Sequence, residues 1–289
     1  MTITDPRARR EARVDGARIV YAEAGSGEPV VFLHGYPESR LAWRHQFAAL
    51  ARTHRLIAPD WIGWGESDRP LELSYLYDEE VERIGRFLDV VRAPQANLVV
   101  HDYGGHLAMG LAARHPERIR RLVVLNSRAQ RTFPAAPWLM FAAIGFAART
   151  PGLRFLLERG PNAALHRLLL RGDVRRGVFD RAALDRYLGW MSTPGERRWF
   201  VRFWQDYALR EPDVFDGLRR FESPTAIVWG DRDPYCPPAT AEELARLLPN
   251  ATLEWLPGAR HFVMEERAAE VISAIERLLA RPVASARVA

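Results

Sequence analysis

The sequence predicts an α/β protein: a mostly parallel central sheet flanked by helices, with an all-helical insertion. Two observations carry this reading. Short continuous runs of Val, Ile and Leu alternate with amphipathic helical patterns up to residue 127 and again from residue 223. Strands apolar on both faces belong to a parallel sheet covered on both sides. Between those stretches, Arg128 to Phe221 is helical, proline-punctuated and rich in aromatics, with no strand pattern. Residues 1–127 and 223–289 are therefore expected to form one core. Residues 128–222 are expected to form a helical lid inserted between strand ends, where it can cover a site.

The elements follow in order. Val14-Asp15-Gly16-Ala17 reads as a hairpin turn, with Ile19-Val20-Tyr21 leading the second strand. Val30 to Leu33 is a strand ending in His34-Gly35, and Leu56-Ile57-Ala58 a strand ending in Pro59-Asp60. Asp78 is placed to cap a helix whose stripe is Val81, Ile84, Phe87, Leu88 and Val91. Leu98 to Val100 is a strand, and the helix after it carries Leu107, Ala108, Leu111 and Ala112 and stops before Pro116. Leu122 to Leu125 is the next strand. Ala135 to Ala148, interrupted by Pro137, reads as a buried helix. After the insertion come a strand at Thr225 to Trp229, a helix around Ala241 to Leu248, a strand at Thr252 to Leu256, and a last helix through Val271, Ile275 and Leu279.

Composition narrows the function. With 289 residues, 48% of them hydrophobic, the chain can bury a full core. No apolar run approaches the ~20 residues of a membrane helix. The N-terminal stretch is polar and Arg-rich, without the apolar core of a secretory signal. The single cysteine, Cys236, has no internal disulfide partner, which fits a reducing cytoplasm. The chain contains no lysine, which excludes Schiff-base chemistry and a Walker-type phosphate site. The net charge is +5, but the arginines are spread along the chain, and only Arg118, Arg120, Arg121, Arg128 and Arg131 cluster. Neither a nucleic-acid nor a membrane partner is expected from that spread.

Three loops at strand ends carry the chemistry. His101-Asp102-Tyr103-Gly104-Gly105 is a sharp turn between a strand and a helix, and its tip presents a carboxylate. A carboxylate is ionised at neutral pH and can displace a leaving group from carbon, leaving an ester on the enzyme. Gly230-Asp231-Arg232-Asp233-Pro234 supplies two candidate acids, and Gly258-Ala259-Arg260-His261-Phe262 a histidine. His261 can activate water against the ester, while an acid holds its tautomer. The ester's developing oxyanion needs two preorganised donors. The amide of Tyr103 follows the nucleophile directly, and His34-Gly35-Tyr36-Pro37 can supply the second through the amide of Tyr36. Pro37 suits a cis or otherwise rigid turn. The loop after Leu125 offers Asn126-Ser127 and no carboxylate.

Together, His34-Gly35-Tyr36-Pro37-Glu38-Ser39, Trp43-Arg44-His45-Gln46, Asp60-Trp61-Ile62-Gly63-Trp64-Gly65-Glu66-Ser67-Asp68-Arg69-Pro70, Val99-Val100-His101-Asp102-Tyr103-Gly104-Gly105 and Gly258 to Phe262 resemble the α/β-hydrolases with an aspartate nucleophile. These are the epoxide hydrolases and haloalkane dehalogenases. The resemblance implies an α/β-hydrolase fold, the chain order nucleophile, acid, histidine, and Asp233 rather than Asp231 as the acid. It implies no cofactor and no metal, and a small apolar organic substrate plus water. Dehalogenases place Trp after the nucleophile and Asn or a second Trp to hold halide, where this chain has Tyr103 and Tyr36. Trp138, Trp190, Trp199 and Trp204 of the lid are the substitutes available. Epoxide hydrolases use lid tyrosines, and Tyr187, then Tyr207, are the candidates here. Epoxide opening is therefore the first expectation, carbon–halogen hydrolysis the second, and a non-catalytic ligand-binding protein on the same fold the third.

Overall fold

A computed structural model describes residues 2–128, 135–207 and 213–283. The hairpin forms as its turn residues predict: β1 (Arg9–Val14) runs antiparallel to β2 (Ala17–Ala24). Asp15 and Gly16 between them both have positive φ, as a type I′ hairpin turn requires. Beyond it the apolar runs become β3 (Pro29–Leu33), β4 (Arg55–Pro59), β5 (Ala96–His101), β6 (Ile119–Ser127), β7 (Thr225–Gly230) and β8 (Ala251–Leu256). The sheet has eight strands in the order β1-β2-β4-β3-β5-β6-β7-β8. β2 meets β4 antiparallel, and every pairing from β4 to β8 is parallel. β5 and β7 are buried along their whole length, which explains why they read as unbroken apolar runs.

Helices cover the sheet. α1 (Arg44–Leu50), α2 (Tyr77–Val90), α3 (Asp102–Arg114), α10 (Pro238–Leu247), α11 (Val263–Glu266) and α12 (Ala268–Leu279) belong to the stretches before β6 and after β7. Asp78 is not the cap of α2. Leu76 occupies that position, and Asp78 lies in the first turn with Glu79 and Glu80, where negative charge complements the helix dipole. Between β6 and β7 every described element is helical: α4 (Ala135–Arg149), α5 (Pro151–Arg159), α6 (Asn162–Arg175), α7 (Arg181–Leu188), a 3₁₀ turn at Gly189–Ser192, α8 (Pro194–Asp206) and α9 (Phe215–Leu218). α9 packs against α3.

α4 departs from the expectation of a buried helix. Leu139 and Phe146 are 61% and 65% exposed, because the helix rests on α5 and α8 and leaves its other side uncovered. No helix among the described residues is long and apolar enough to cross a membrane.

One loop ties the insertion to the sheet. In the loop after β4, Asp60 is fully buried and accepts the amides of Arg40 and Glu66, each at 2.7 Å. The same loop carries Gly63 at φ +95°, where a Cβ would stand 1.8 Å from the Trp199 ring. Only glycine lets the loop touch α8 so closely. Of the clustered arginines, Arg118 pairs with Asp89, and Arg120 and Arg121 pair with Glu28. These guanidiniums are spent on tying the core together. Arg131 lies outside the described residues.

Candidate active site

Asp102 sits where β5 turns into α3, at φ +43°. That region disfavours a residue with a side chain, and strain of this kind is retained where the surroundings over-determine it. Here Ser127 donates its hydroxyl to the Asp102 carbonyl at 2.7 Å. A Cβ on Gly104 would stand 2.5 Å from the Leu33 carbonyl oxygen, so the elbow fits tightly against the end of β3. The carboxylate is thereby lifted clear of the sheet and into a cavity.

Its two oxygens have different neighbours. Oδ1 accepts the Tyr36 amide at 2.9 Å, which places the amide expected as an oxyanion donor on the Asp102 carboxylate. The Tyr36–Pro37 bond is cis. Oδ2 lies 3.7 Å from His261 Nε2, beyond direct hydrogen-bond range and compatible with a water between them. His261 donates Nδ1–H to Asp233 Oδ2 at 2.7 Å. Asp231 instead accepts the Gly258 amide at 2.7 Å, so it fastens the histidine loop and does not touch the imidazole. The order and spacing anticipated from the three loops therefore converge on one point at the carboxyl ends of β5, β7 and β8.

Charge sets the proton positions. Burial alone would depress the His261 pKa, but the carboxylates of Asp233 and then Asp102 outweigh it and hold the imidazole at about 9. Burial would raise Asp233, yet His261, the Cys236 amide and Asn126 bring it below the ordinary carboxylate range. The resting site is thus an imidazolium between two carboxylates. Loss of the Asp102 charge would let the imidazole release its proton more readily.

Several residues of the site lack a strong sequence signal. Asn126 donates Nδ2–H to Asp233 Oδ2 at 2.7 Å and accepts the Gly230 amide at 3.0 Å. It holds the acid although its loop contributes no carboxylate, and a polar residue at a strand end beside the acid loop was the available clue. His101 joins Glu38 Oε2 through Nδ1 and the His261 carbonyl through Nε2, each at 3.0 Å. Glu38 Oε2 also accepts the Gly35 amide at 2.9 Å, so one buried carboxylate ties the Tyr36 loop to the strand that carries Asp102. His166 of α6 accepts the Tyr36 hydroxyl at Nε2, with its Nδ1–H on the Asn162 carbonyl at 2.7 Å. Nothing in the local pattern of α6 marks that histidine.

The cavity above Asp102 is lined by Tyr36, Tyr103, Tyr207 and Tyr235, by Trp204, and by apolar side chains that include Phe141, Leu170 and Phe203. Tyr103 presents its ring, while its hydroxyl lies 3.4 Å from Glu80 Oε2, away from the nucleophile. Tyr207, the second tyrosine candidate of the insertion, lines the cavity under the Arg128 guanidinium, which is 5.0 Å from its ring centre. Tyr187 does not line it. Tyr187 belongs to the buried stripe of α7, with Ala183, Leu184 and Leu188. Its hydroxyl donates to Glu265 at 2.8 Å, and burial, then the Glu265 charge, raises its pKa well above the ordinary value. The stripe that made Tyr187 a good lid candidate is the face that turns it toward the core. Trp190 and Trp199 pack on Trp64 and are likewise outside the lining. Trp204 is the lid tryptophan in the wall, and its buried indole N–H has no protein acceptor. The side chain of Trp138 lies outside the described residues.

Comparisons with known proteins agree with this architecture. The sequence profile of the α/β hydrolase fold family matches residues 28–268. A cis-3-alkyl-4-alkyloxetan-2-one decarboxylase of Shewanella oneidensis is 31% identical over 282 residues, 92% of this chain and 86% of that protein. A haloalkane dehalogenase of Mesorhizobium japonicum is 31% identical, over 88% of this chain and 85% of its own length. The crystal structure of an epoxide hydrolase from Bacillus megaterium superposes with a TM-score of 0.77 at 24% identity, covering 94% of this chain and all of that one, a likeness of fold. With the family profile spanning most of the chain and relatives above 30% identity along nearly its full length, the protein belongs to the α/β-hydrolase fold family and is a hydrolase of that family.

Proposed function

We propose that this hydrolase opens a strained cyclic C–O electrophile, an epoxide foremost, through a covalent ester on Asp102. The observation that carries the reading is the division of labour at the Asp102 carboxylate. Oδ1 is engaged by the Tyr36 amide, and Oδ2 is left to a cavity whose wall includes Tyr207 and Tyr235. Oδ2 attacks the ring carbon, the C–O bond breaks, and the leaving oxygen takes a proton from the Tyr207 hydroxyl. The resting His261 imidazolium returns a proton to the Tyr207 phenolate. The neutral imidazole then removes a proton from water, and the hydroxide attacks the Asp102 carbonyl carbon. The acyl C–O bond cleaves as the departing alkoxide takes the proton of the new carboxyl group, which releases the diol and restores all three side chains. The Tyr36 and Tyr103 amides stabilise the oxyanion in that second step. The Shewanella relative's oxetan-2-one is also a strained cyclic C–O electrophile, which supports the same substrate class.

One observation favours carbon–halogen hydrolysis as the second reading. The unpaired Trp204 indole N–H is a donor-only group suited to a departing halide. The test is His261→Gln with styrene oxide and, separately, an alkyl bromide, read by intact mass and peptide mapping. A mass increase on the Asp102 peptide with styrene oxide, absent in Asp102→Ala, is the expected result. Labelling by the bromide alone, with halide release, would replace the first reading by the second. Parental turnover by Asp102→Ala would sink both.

A further inference from the structure

We infer that the outer face of α4, α5 and α6 docks on an anionic lipid surface. Leu139 and Phe146 of α4, Phe155 and Leu156 of α5, and Leu165 and Leu168 of α6 are each more than half exposed. Elsewhere among the described residues, only Leu71, Leu76 and Val90 are large hydrophobics of comparable exposure. Soluble monomers scatter such side chains singly, and a concentration of them marks an interaction surface.

The charge on this face identifies the partner. From residue 139 to 176 every exposed charged side chain is an arginine: Arg149, Arg154, Arg159, Arg171, Arg175 and Arg176. The two acids of the stretch are withdrawn from solvent. Asp173 is buried against Arg176, and Glu158 is partly covered beside Arg154. Exposed leucine and phenylalanine interleaved with cations is the composition of helices that lie in a membrane interface. Arginine adds bidentate recognition of phosphate. Two copies of this face meeting across a two-fold axis would set arginine against arginine. A nucleic acid would neutralise the charge but leave the leucines without a partner.

Two of the same helices wall the cavity. Met140 and Phe141 of α4 and Leu169 and Leu170 of α6 line it, and Leu169 is 56% exposed. The bound orientation therefore turns an opening of the active-site cavity toward the lipid, and an apolar substrate can enter from the acyl region. That last step rests on the proposed reaction. The docking itself does not.

The experiment is vesicle co-sedimentation of the full-length protein, with phosphatidylcholine vesicles and with phosphatidylcholine–phosphatidylglycerol vesicles. Binding to the anionic vesicles, weakened by salt as screening shortens, is expected. Arg154→Glu/Arg171→Glu should weaken it by roughly tenfold or more, and Phe155→Ser/Leu156→Ser should do the same without changing hydrolysis of a water-soluble substrate. Asp102→Asn should bind like the parent, which separates failure of docking from failure of the chemical reading. Should the serine variant fail to fold by circular dichroism, the arginine variant carries the test. Absence of binding, equal binding to neutral vesicles, or parental binding by the charge-reversed variant overturns the proposal. So does a concentration-dependent dimer on size-exclusion chromatography that Phe155→Ser/Leu156→Ser abolishes, because the face then belongs to a second copy.

Discussion

Gly35→Ala is the sharpest probe of the nucleophile's placement. A Cβ at position 35 would stand 2.4 Å from the Asp102 Cβ and 2.8 Å from Oδ1. Carbon–carbon contacts settle near ~3.5–4.0 Å, so one side must retreat by roughly 1 Å. Gly35 cannot retreat freely, because its amide is held by Glu38 at 2.9 Å. Asp102 therefore moves, and its Oδ1 loses the Tyr36 amide. A displacement of ~1 Å in a reacting group costs about 10²-fold, or about 2.7 kcal/mol of barrier. The overpacking itself costs about 1–3 kcal/mol of stability. The expected outcome is a folded protein with a lower Tm whose single-turnover alkylation by styrene oxide, read by rapid quench and intact mass, falls at least ~10²-fold. Gly195→Ala, where an added Cβ meets nothing within 4 Å, is the control and should match the parent. An unchanged alkylation rate in Gly35→Ala would refute the assigned contact between the oxyanion loop and the nucleophile.

Three further outcomes are expected. Hydrolysis of the Asp102 ester should accelerate as pH rises, because only the neutral imidazole accepts a proton. Its midpoint should fall below the resting His261 value of about 9, since the ester no longer carries the Asp102 charge. A flat pH profile in pulse–chase single turnover would count against His261 as the base. Asn126→Ala removes a buried donor to Asp233 and should cost about 1.5–3 kcal/mol of stability, the range for hydrogen bonds to charged groups. Urea denaturation would measure it, and a loss below about 0.5 kcal/mol would contradict the assigned role. Tyr207→Phe should slow epoxide alkylation by ~10²–10⁴-fold, the usual worth of a positioned acid, while Trp204→Phe should leave it nearly intact. The reverse ranking, measured with both substrates, would assign leaving-group handling to the indole.

Much of the site could be read along the chain because its groups are tied to strand ends. Asp102 and Asp233 each follow a fully buried run, His261 follows the partly exposed run of β8, and parallel strands bring their carboxyl ends to one edge. Tyr36 was equally legible, since it follows β3 directly. Choosing Asp233 over Asp231 needed a resemblance, and the structure gives the physical distinction: Asp233 bonds the imidazole, and Asp231 bonds the backbone of the histidine loop.

What the sequence determined by itself was the architecture and the placement of Asp102 at a strand-to-helix turn. Apolar periodicity reports burial locally, and an aspartate at a strand-to-helix turn has one exposed place to be. What only the tertiary structure decided was which insertion residues face that aspartate. A helix presents several faces, and periodicity marks the buried one without saying what it is buried against. So Tyr187, on a good apolar stripe, turns to Glu265, while Tyr207, Trp204 and His166 reach the cavity. The exposed side of α4 follows from the same rule, because an all-apolar helix looks buried until its neighbours are counted. Asn126 and Glu38 complete the contrast: their roles depend on partners 107 and 63 residues away, a distance over which local sequence carries no signal.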